Sequence, residues 1–190
     1  MDANARIASI VEKRTPELVA LRRRLHEHPE LAFEEHETAK AVADFLSKQG
    51  IRFRTGIGRT GVVAIVEGAK PGPTLGIRAD MDALPILEQT GLPFASKVAG
   101  KMHACGHDVH TVIALGVAAA LAEMRDELKG RVKFIFQPAE ETLAGAQAMI
   151  ADGVLDDPKM DLILGYHNWP AVPAGKVGYN QDVVMASADA

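Results

Sequence analysis

The chain has one cysteine, one tryptophan, few other aromatics and no concentration of positive charge, and each shortage closes off a class of function. A single cysteine, Cys105, allows no internal disulfide, which suits a reducing compartment. The formal net charge is −4, and no Lys/Arg cluster is interleaved with aromatics, so no basic face is offered to nucleic acid. Arg22-Arg23-Arg24, the only basic run, reads as a solvated helix face. The longest apolar stretch, around Val112 to Ala122, is too short and too alanine-rich to span a bilayer. Met1 to Arg6 lacks the charged-then-apolar build of a signal peptide. The expectation is a soluble, cytoplasmic protein with neither nucleic-acid nor membrane partners. Hydrophobic content of 47% beside 24% charged residues is globular composition, and 190 residues suffice for one well-buried domain or one plus a fragment of another.

Periodicity predicts helices over residues 5–13, from Pro16 to about His28 with Thr15 as N-cap, and over residues 38–48. Residues 62–67 and 74–79 are β-rich, and the Gly/Pro-rich segment 68–73 between them predicts a hairpin. A long Ala/Leu-rich helix is expected over 108–128, with Asp108 available as its cap. A strand over 131–136, a short helix over 144–151 and a strand over 161–166 follow, with residues 175–179 as a candidate last strand. Strands alternating with helices from Thr74 onward predict an α/β fold whose sheet is mostly parallel and flanked by helices.

Three apolar runs end in residues able to bind metal: Leu75–Ala79 in Asp80-Met81-Asp82, Val132–Phe136 in a segment reaching Glu140-Glu141, and Leu162–Tyr166 in His167. Open α/β sheets bind ligands outside the carboxyl ends of their strands, so these could meet at one edge. Between them lies His103-Ala104-Cys105-Gly106-His107-Asp108-Val109-His110, the densest set of ligand-type side chains in the chain. Cys105 and His107 are two apart and point the same way in an extended segment. Thiol, imidazole and carboxylate together suit Zn, Mn, Co or Ni, and a mixed set looks catalytic rather than structural. Of Glu140 and Glu141, one could ligate while its neighbour acts as general base on a water, or both could simply open the next helix. Asp80 and Asp82 could orient a ligating His, bind metal, or form a turn. His103 and His110 remain open at this level, and His26, His28 and His36 read as bystanders on exposed helices. A thiol nucleophile at Cys105, its pKa depressed ahead of a helix N-terminus, is the rival chemistry.

The segments Leu25-His26-Glu27-His28-Pro29-Glu30-Leu31, Arg78-Ala79-Asp80-Met81-Asp82-Ala83-Leu84-Pro85, His103 to His110 and Phe136-Gln137-Pro138-Ala139-Glu140-Glu141 resemble the aminoacylase/carboxypeptidase family of dinuclear metallopeptidases. The resemblance is to its amidohydrolase branch, which includes hippurate hydrolases and N-acyl-amino-acid amidohydrolases. It implies a zinc-peptidase-like catalytic domain that cleaves the amide of an N-acyl amino acid with two divalent ions, manganese or zinc, cobalt and nickel being possible. Carried over by position, Cys105, His107, Glu141 and His167 match the metal ligands and Glu140 the general base. Asp82 matches a supporting acid, with Asp80 beside it.

Members of this family run to about twice this length, a two-domain size. The resemblance therefore implies that residues 1–182 are the N-terminal part of the catalytic domain and 183–190 the hinge toward an inserted dimerisation domain. A chain truncated there is expected to have little or no amidohydrolase activity alone, and a metal-binding remnant without catalysis is the alternative. The family's homodimer is formed through the domain not included.

Overall fold

A computed structural model describes residues 2–179. It contains α1 (Ala3–Glu27), α2 (His36–Lys48), β1 (Arg52–Ile57), β2 (Gly61–Glu67), β3 (Lys70–Asp80), α3 (His107–Glu123), β4 (Lys129–Gln137), α4 (Gly145–Ala151) and β5 (Leu162–Gly165). The five strands form one mixed sheet in the order β1-β2-β4-β3-β5. The β1–β2 and β2–β4 pairs are antiparallel, and the β4–β3 and β3–β5 pairs are parallel. The α/β architecture is the expected one, but the sheet is mixed rather than mostly parallel: only the β4–β3 and β3–β5 pairs are parallel, at the end that carries the candidate ligands.

The expected hairpin between β2 and β3 does not form, because β4 lies between them. Every residue from Val132 to Gln137 is buried, so β4 needs a sheet neighbour on both edges and cover on both faces. The Gly/Pro-rich linker launches β3 parallel to β4 instead, with Gly68 N–H on Gly130 O and a register shift between Lys70 and Thr74. The strand that does pair with β2 as a hairpin is β1, absent from the sequence reading. It lies at the sheet edge and has no buried residue, so its apolar pattern is weak.

Two cores cover the two faces. Val42, Phe45 and Leu46 of α2 and Ala114, Leu115, Ala118 and Ala119 of α3 pack on Val62, Ala64 and Val66 of β2 and on Val132, Phe134 and Phe136 of β4. On the other face, Met149 of α4 and Val154 cover Val63 and Ile135. The alternation of these strand residues between the two cores is the period-2 rule of a sheet buried on both sides.

Three further expectations are corrected. Helix α1 does not restart at Thr15; it runs through Pro16, and Thr15 Oγ1 donates to Val11 O at 2.7 Å. That back-bond and the packing of α1 on α3 through Ile10, Ala120 and Met124 carry the helix past the missing proline N–H. Helix α3 begins at His107 and ends at Glu123, and its N-cap is Gly106 rather than Asp108. Residues 175–179 are exposed and form no strand. The expected hinge at 183–190 lies outside the described residues. Among the described residues, no helix is long and apolar enough to cross a membrane.

Phe134 is fully buried at the centre of the sheet. Phe134→Ala is expected to cost about 3–5 kcal/mol of unfolding free energy, read from urea titrations; a loss below about 1 kcal/mol would contradict the central placing of β4.

Candidate metal centre

The parallel strands end in register, Asp80 opposite Gln137 and Arg78 opposite Gly165. The segments that follow them, and the start of α3, therefore meet at one sheet edge. Gly106 makes the meeting possible: its φ is +87°, and a Cβ there would lie 2.5 Å from Asn168 Oδ1. Only glycine gives both that backbone turn and room for the segment after β5.

His107 is fully buried at the centre of the group. Its Nδ1 lies 3.2 Å from Asp82 Oδ1, which assigns the proton to Nδ1 and leaves a lone pair on Nε2. The other carboxylate oxygen, Asp82 Oδ2, accepts the Glu141 backbone N–H at 2.9 Å. Among the described residues His107 Nε2 has no hydrogen-bond partner, nor does the buried Glu141 Oε1, and the two are 3.8 Å apart. Glu140 Oε2 is also 3.8 Å from Nε2, and Asp80 Oδ2 is 3.6 Å away. Cys105 Sγ lies 3.2 Å from His167 Nε2, while His167 Nδ1 donates to Asn168 O at 2.6 Å. Two donor groups that could each hold an ion thus share His107: Cys105 with His107 and His167, and His107 with Glu140 and Glu141.

A third such group, Asp80 with His107 and His110, has its His110 nitrogens already engaged. His110 Nδ1 donates to Asp80 Oδ1 at 2.6 Å, and Nε2 accepts the Asn168 N–H at 2.9 Å. Asp80 also accepts from Arg78 at 2.6 Å. Burial raises its pKa, but His110, Arg78 and His107 outweigh that and hold it at about 2. For His107 burial lowers the pKa, and Asp82, Asp80 and Glu141 reverse the sign, so the net shift is upward. Burial raises Glu141. A divalent ion competes with the protons that the upward shifts of His107 and Glu141 favour, as expected at a site built from ionisable ligands.

The thiol expectation is reversed. Burial first, then the carboxylates of Glu141, Glu140 and Asp80, push Cys105 up to about 12. A thiolate nucleophile is disfavoured in that field, whereas a ligand thiol loses its proton to the metal it binds.

His28 and His36 are exposed, in keeping with their reading as bystanders. His26 is corrected: it is buried, with Nδ1 at 2.8 Å from Asp108 Oδ2 and Nε2 at 3.3 Å from Glu88. The Asp108 hydrogen bond raises its pKa. Arg22 Nε is 2.8 Å from the same Asp108 oxygen, so Asp108 anchors α1 to the start of α3 instead of capping a helix. His103 is buried and pushed down to about 4 by that burial, and it joins none of the ligand groups. The sequence reading assigns no role to Glu35 or Asn168. Neither carries a local motif, since each acts through a backbone amide: Asn168 by donating its own to His110, Glu35 by accepting that of Ala139 at 2.8 Å.

The model of the family described as Peptidase family M20/M25/M40 matches residues 76–181. The chain belongs to this peptidase family. It is 51% identical over 173 residues to an N-acetylcysteine deacetylase of Bacillus subtilis, covering 90% of this chain and 45% of the relative. It is 42% identical over 184 residues to an N-acyl-L-amino acid amidohydrolase of Geobacillus stearothermophilus, covering 96% and 49%. A solved structure from Bacillus subtilis, described as a dinuclear metal-binding peptidase of the same family, superposes with a TM-score of 0.85 at 49% identity, covering 89% of this chain and 47% of that one. The chain spans about half the length of the relatives it matches.

Asp80 gives this family member a signed pH dependence. Its folded value of about 2 lies below its ordinary 3.8, so its stabilising contribution is present above about pH 4 and drains away as pH falls through about 2. In chelator-treated protein, wild type is expected to lose more unfolding free energy between about pH 5 and pH 2.5 than Asp80→Asn, read by urea titration at each pH. Equal losses would contradict the assignment.

Proposed function

We propose that Cys105, His107, Glu141 and His167 hold two divalent cations and that Glu140 is the general base for hydrolysis of an N-acyl amino acid. One observation carries the reading: His107 Nε2 and Glu141 Oε1 are buried, unpartnered and 3.8 Å apart, beside a thiol and a second imidazole. Facing lone pairs in the interior are costly, and a cation between them relieves the cost. The donor set suits manganese or zinc, with cobalt and nickel as substitutes. The substrate class is proposed from the names of the relatives, a deacetylase of N-acetylcysteine and an amidohydrolase of N-acyl-L-amino acids. The single cysteine supports a reducing, cytoplasmic setting.

Bound cations would polarise the acyl oxygen and bring the pKa of a water at the site to about 7. The side chains supply the rest. Asp82 fixes the His107 tautomer and ties the Glu141 backbone, so both ligands are aimed before any ion arrives. Glu140, half-buried beside them, takes a proton from the attacking water as its oxygen adds to the acyl carbon. The same carboxyl passes that proton to the amide nitrogen as the C–N bond breaks, which releases a carboxylic acid and an amino acid and returns Glu140 to its starting form.

Elemental analysis after dialysis against manganese or zinc is expected to find bound metal in wild type and to find it lost in Cys105→Ala and His107→Ala. Glu140→Gln is expected to keep the metal, and whatever hydrolysis of N-acetyl and N-benzoyl amino acids the wild type shows is expected to fall on the order of 10²–10⁴-fold. Undiminished hydrolysis in Glu140→Gln, or full metal content in His107→Ala, would contradict the proposal.

A further inference from the structure

Glu140 sits in a tight loop whose conformation local sequence does not favour. Ala139, just before it, has φ +50°, a left-handed conformation rare for a residue with a Cβ, and Leu143 has φ +57°. The loop closes on itself through Leu143 N–H to Glu140 O at 2.8 Å and Gly145 N–H to Ala139 O at 3.0 Å. Gly145 is packed against it so closely that a Cβ would lie 1.6 Å from Pro138 O. Two backbone amides of the loop point outward instead, and each meets a buried carboxylate. Glu141 N–H donates to Asp82 Oδ2 at 2.9 Å, and Ala139 N–H donates to Glu35 Oε1 at 2.8 Å.

Glu35 lies far from the ligands in sequence and has no exposed surface. It precedes α2, and its second oxygen, Oε2, accepts from Thr60 Oγ1 in the β1–β2 turn. Among the described residues it pairs with no cationic side chain, so this buried carboxyl is held by two neutral donors. A carboxylate kept in the interior on those terms fixes where its donors sit.

We propose that Glu35 is a positioning residue for the metal centre: with Asp82 it clamps the amides on either side of Glu140 and so sets the aim of Glu140 and of the ligand Glu141. The inference rests on the proposed metal site. A buried partner that orients a ligand in this way is worth on the order of 10–100-fold in metal affinity.

The test is Mn²⁺ affinity of the whole chain, by competition with a chromophoric chelator, together with amide exchange of Ala139 by NMR in metal-free protein. Glu35→Ala is expected to exchange the Ala139 amide faster and to bind Mn²⁺ on the order of 10-fold more weakly. Glu35→Gln keeps an acceptor oxygen for Ala139 and is expected to stay within about threefold of wild type. A folded Glu35→Ala chain with wild-type affinity, or with unchanged Ala139 exchange, overturns the proposal. If Glu35→Ala does not fold, Glu35→Asp replaces it: one methylene shorter, it withdraws the oxygen from Ala139 and is expected to show the same loss, and wild-type affinity there overturns the proposal equally. Wild-type protein that takes up neither Mn²⁺ nor Zn²⁺ overturns the proposed function before any variant is compared, and this inference with it.

Discussion

The arrangement at the sheet edge depends on Asp82. One of its oxygens meets the His107 ring and the other the Glu141 amide, so a single buried carboxylate joins the segment after β3, the start of α3 and the loop after β4. Removing it would leave a buried imidazole nitrogen and a part-buried N–H without this partner, the first a loss larger than the net worth of an ordinary hydrogen bond. It also settles which nitrogen of His107 carries the lone pair, and hence that this nitrogen faces Glu140 and Glu141 rather than the core.

The fold makes that junction possible by burying β4 between β2 and β3. Because β3, β4 and β5 run parallel, their ends and the segments beyond them converge, and the crossover helix α3 starts at the same edge. The negative charge gathered there is balanced from within the protein only in part. Arg78 and His110 serve Asp80, and Arg22 and His26 serve Asp108, whereas among the described residues the one basic side chain facing Glu140 and Glu141 is His107. The uncompensated share of the charge is the share next to Cys105 and His167, where a cation is proposed.

Much of this was legible in the sequence, for a physical reason. The candidate ligands follow apolar strands, and a strand buried on both faces leaves a continuous hydrophobic run that is easy to see, as in Val132 to Phe136. The position of β4 was not legible, because a Gly/Pro-rich linker after β2 is equally compatible with a hairpin and with a parallel launch. Edge strand β1 has no fully buried residue and so has little pattern. His26 read as exposed because its partners, Asp108 and Glu88, lie 82 and 62 residues away. The thiol pKa at Cys105 was misjudged from its place before a helix; burial first, and then three carboxylates from other segments, push it the other way. Glu35 was invisible for the same reason, since its role is carried by a backbone amide 104 residues away.

The most direct measurement is X-ray absorption at the metal edge of the zinc- or cobalt-loaded chain, wild type beside Cys105→Ser. The account predicts one sulfur scatterer at about 2.3 Å with imidazole scattering beside it, the sulfur vanishing in the variant. A shell of oxygen alone in wild type would mean that metal binds elsewhere, and would contradict the assignment of Cys105, His107, Glu141 and His167 as its ligands.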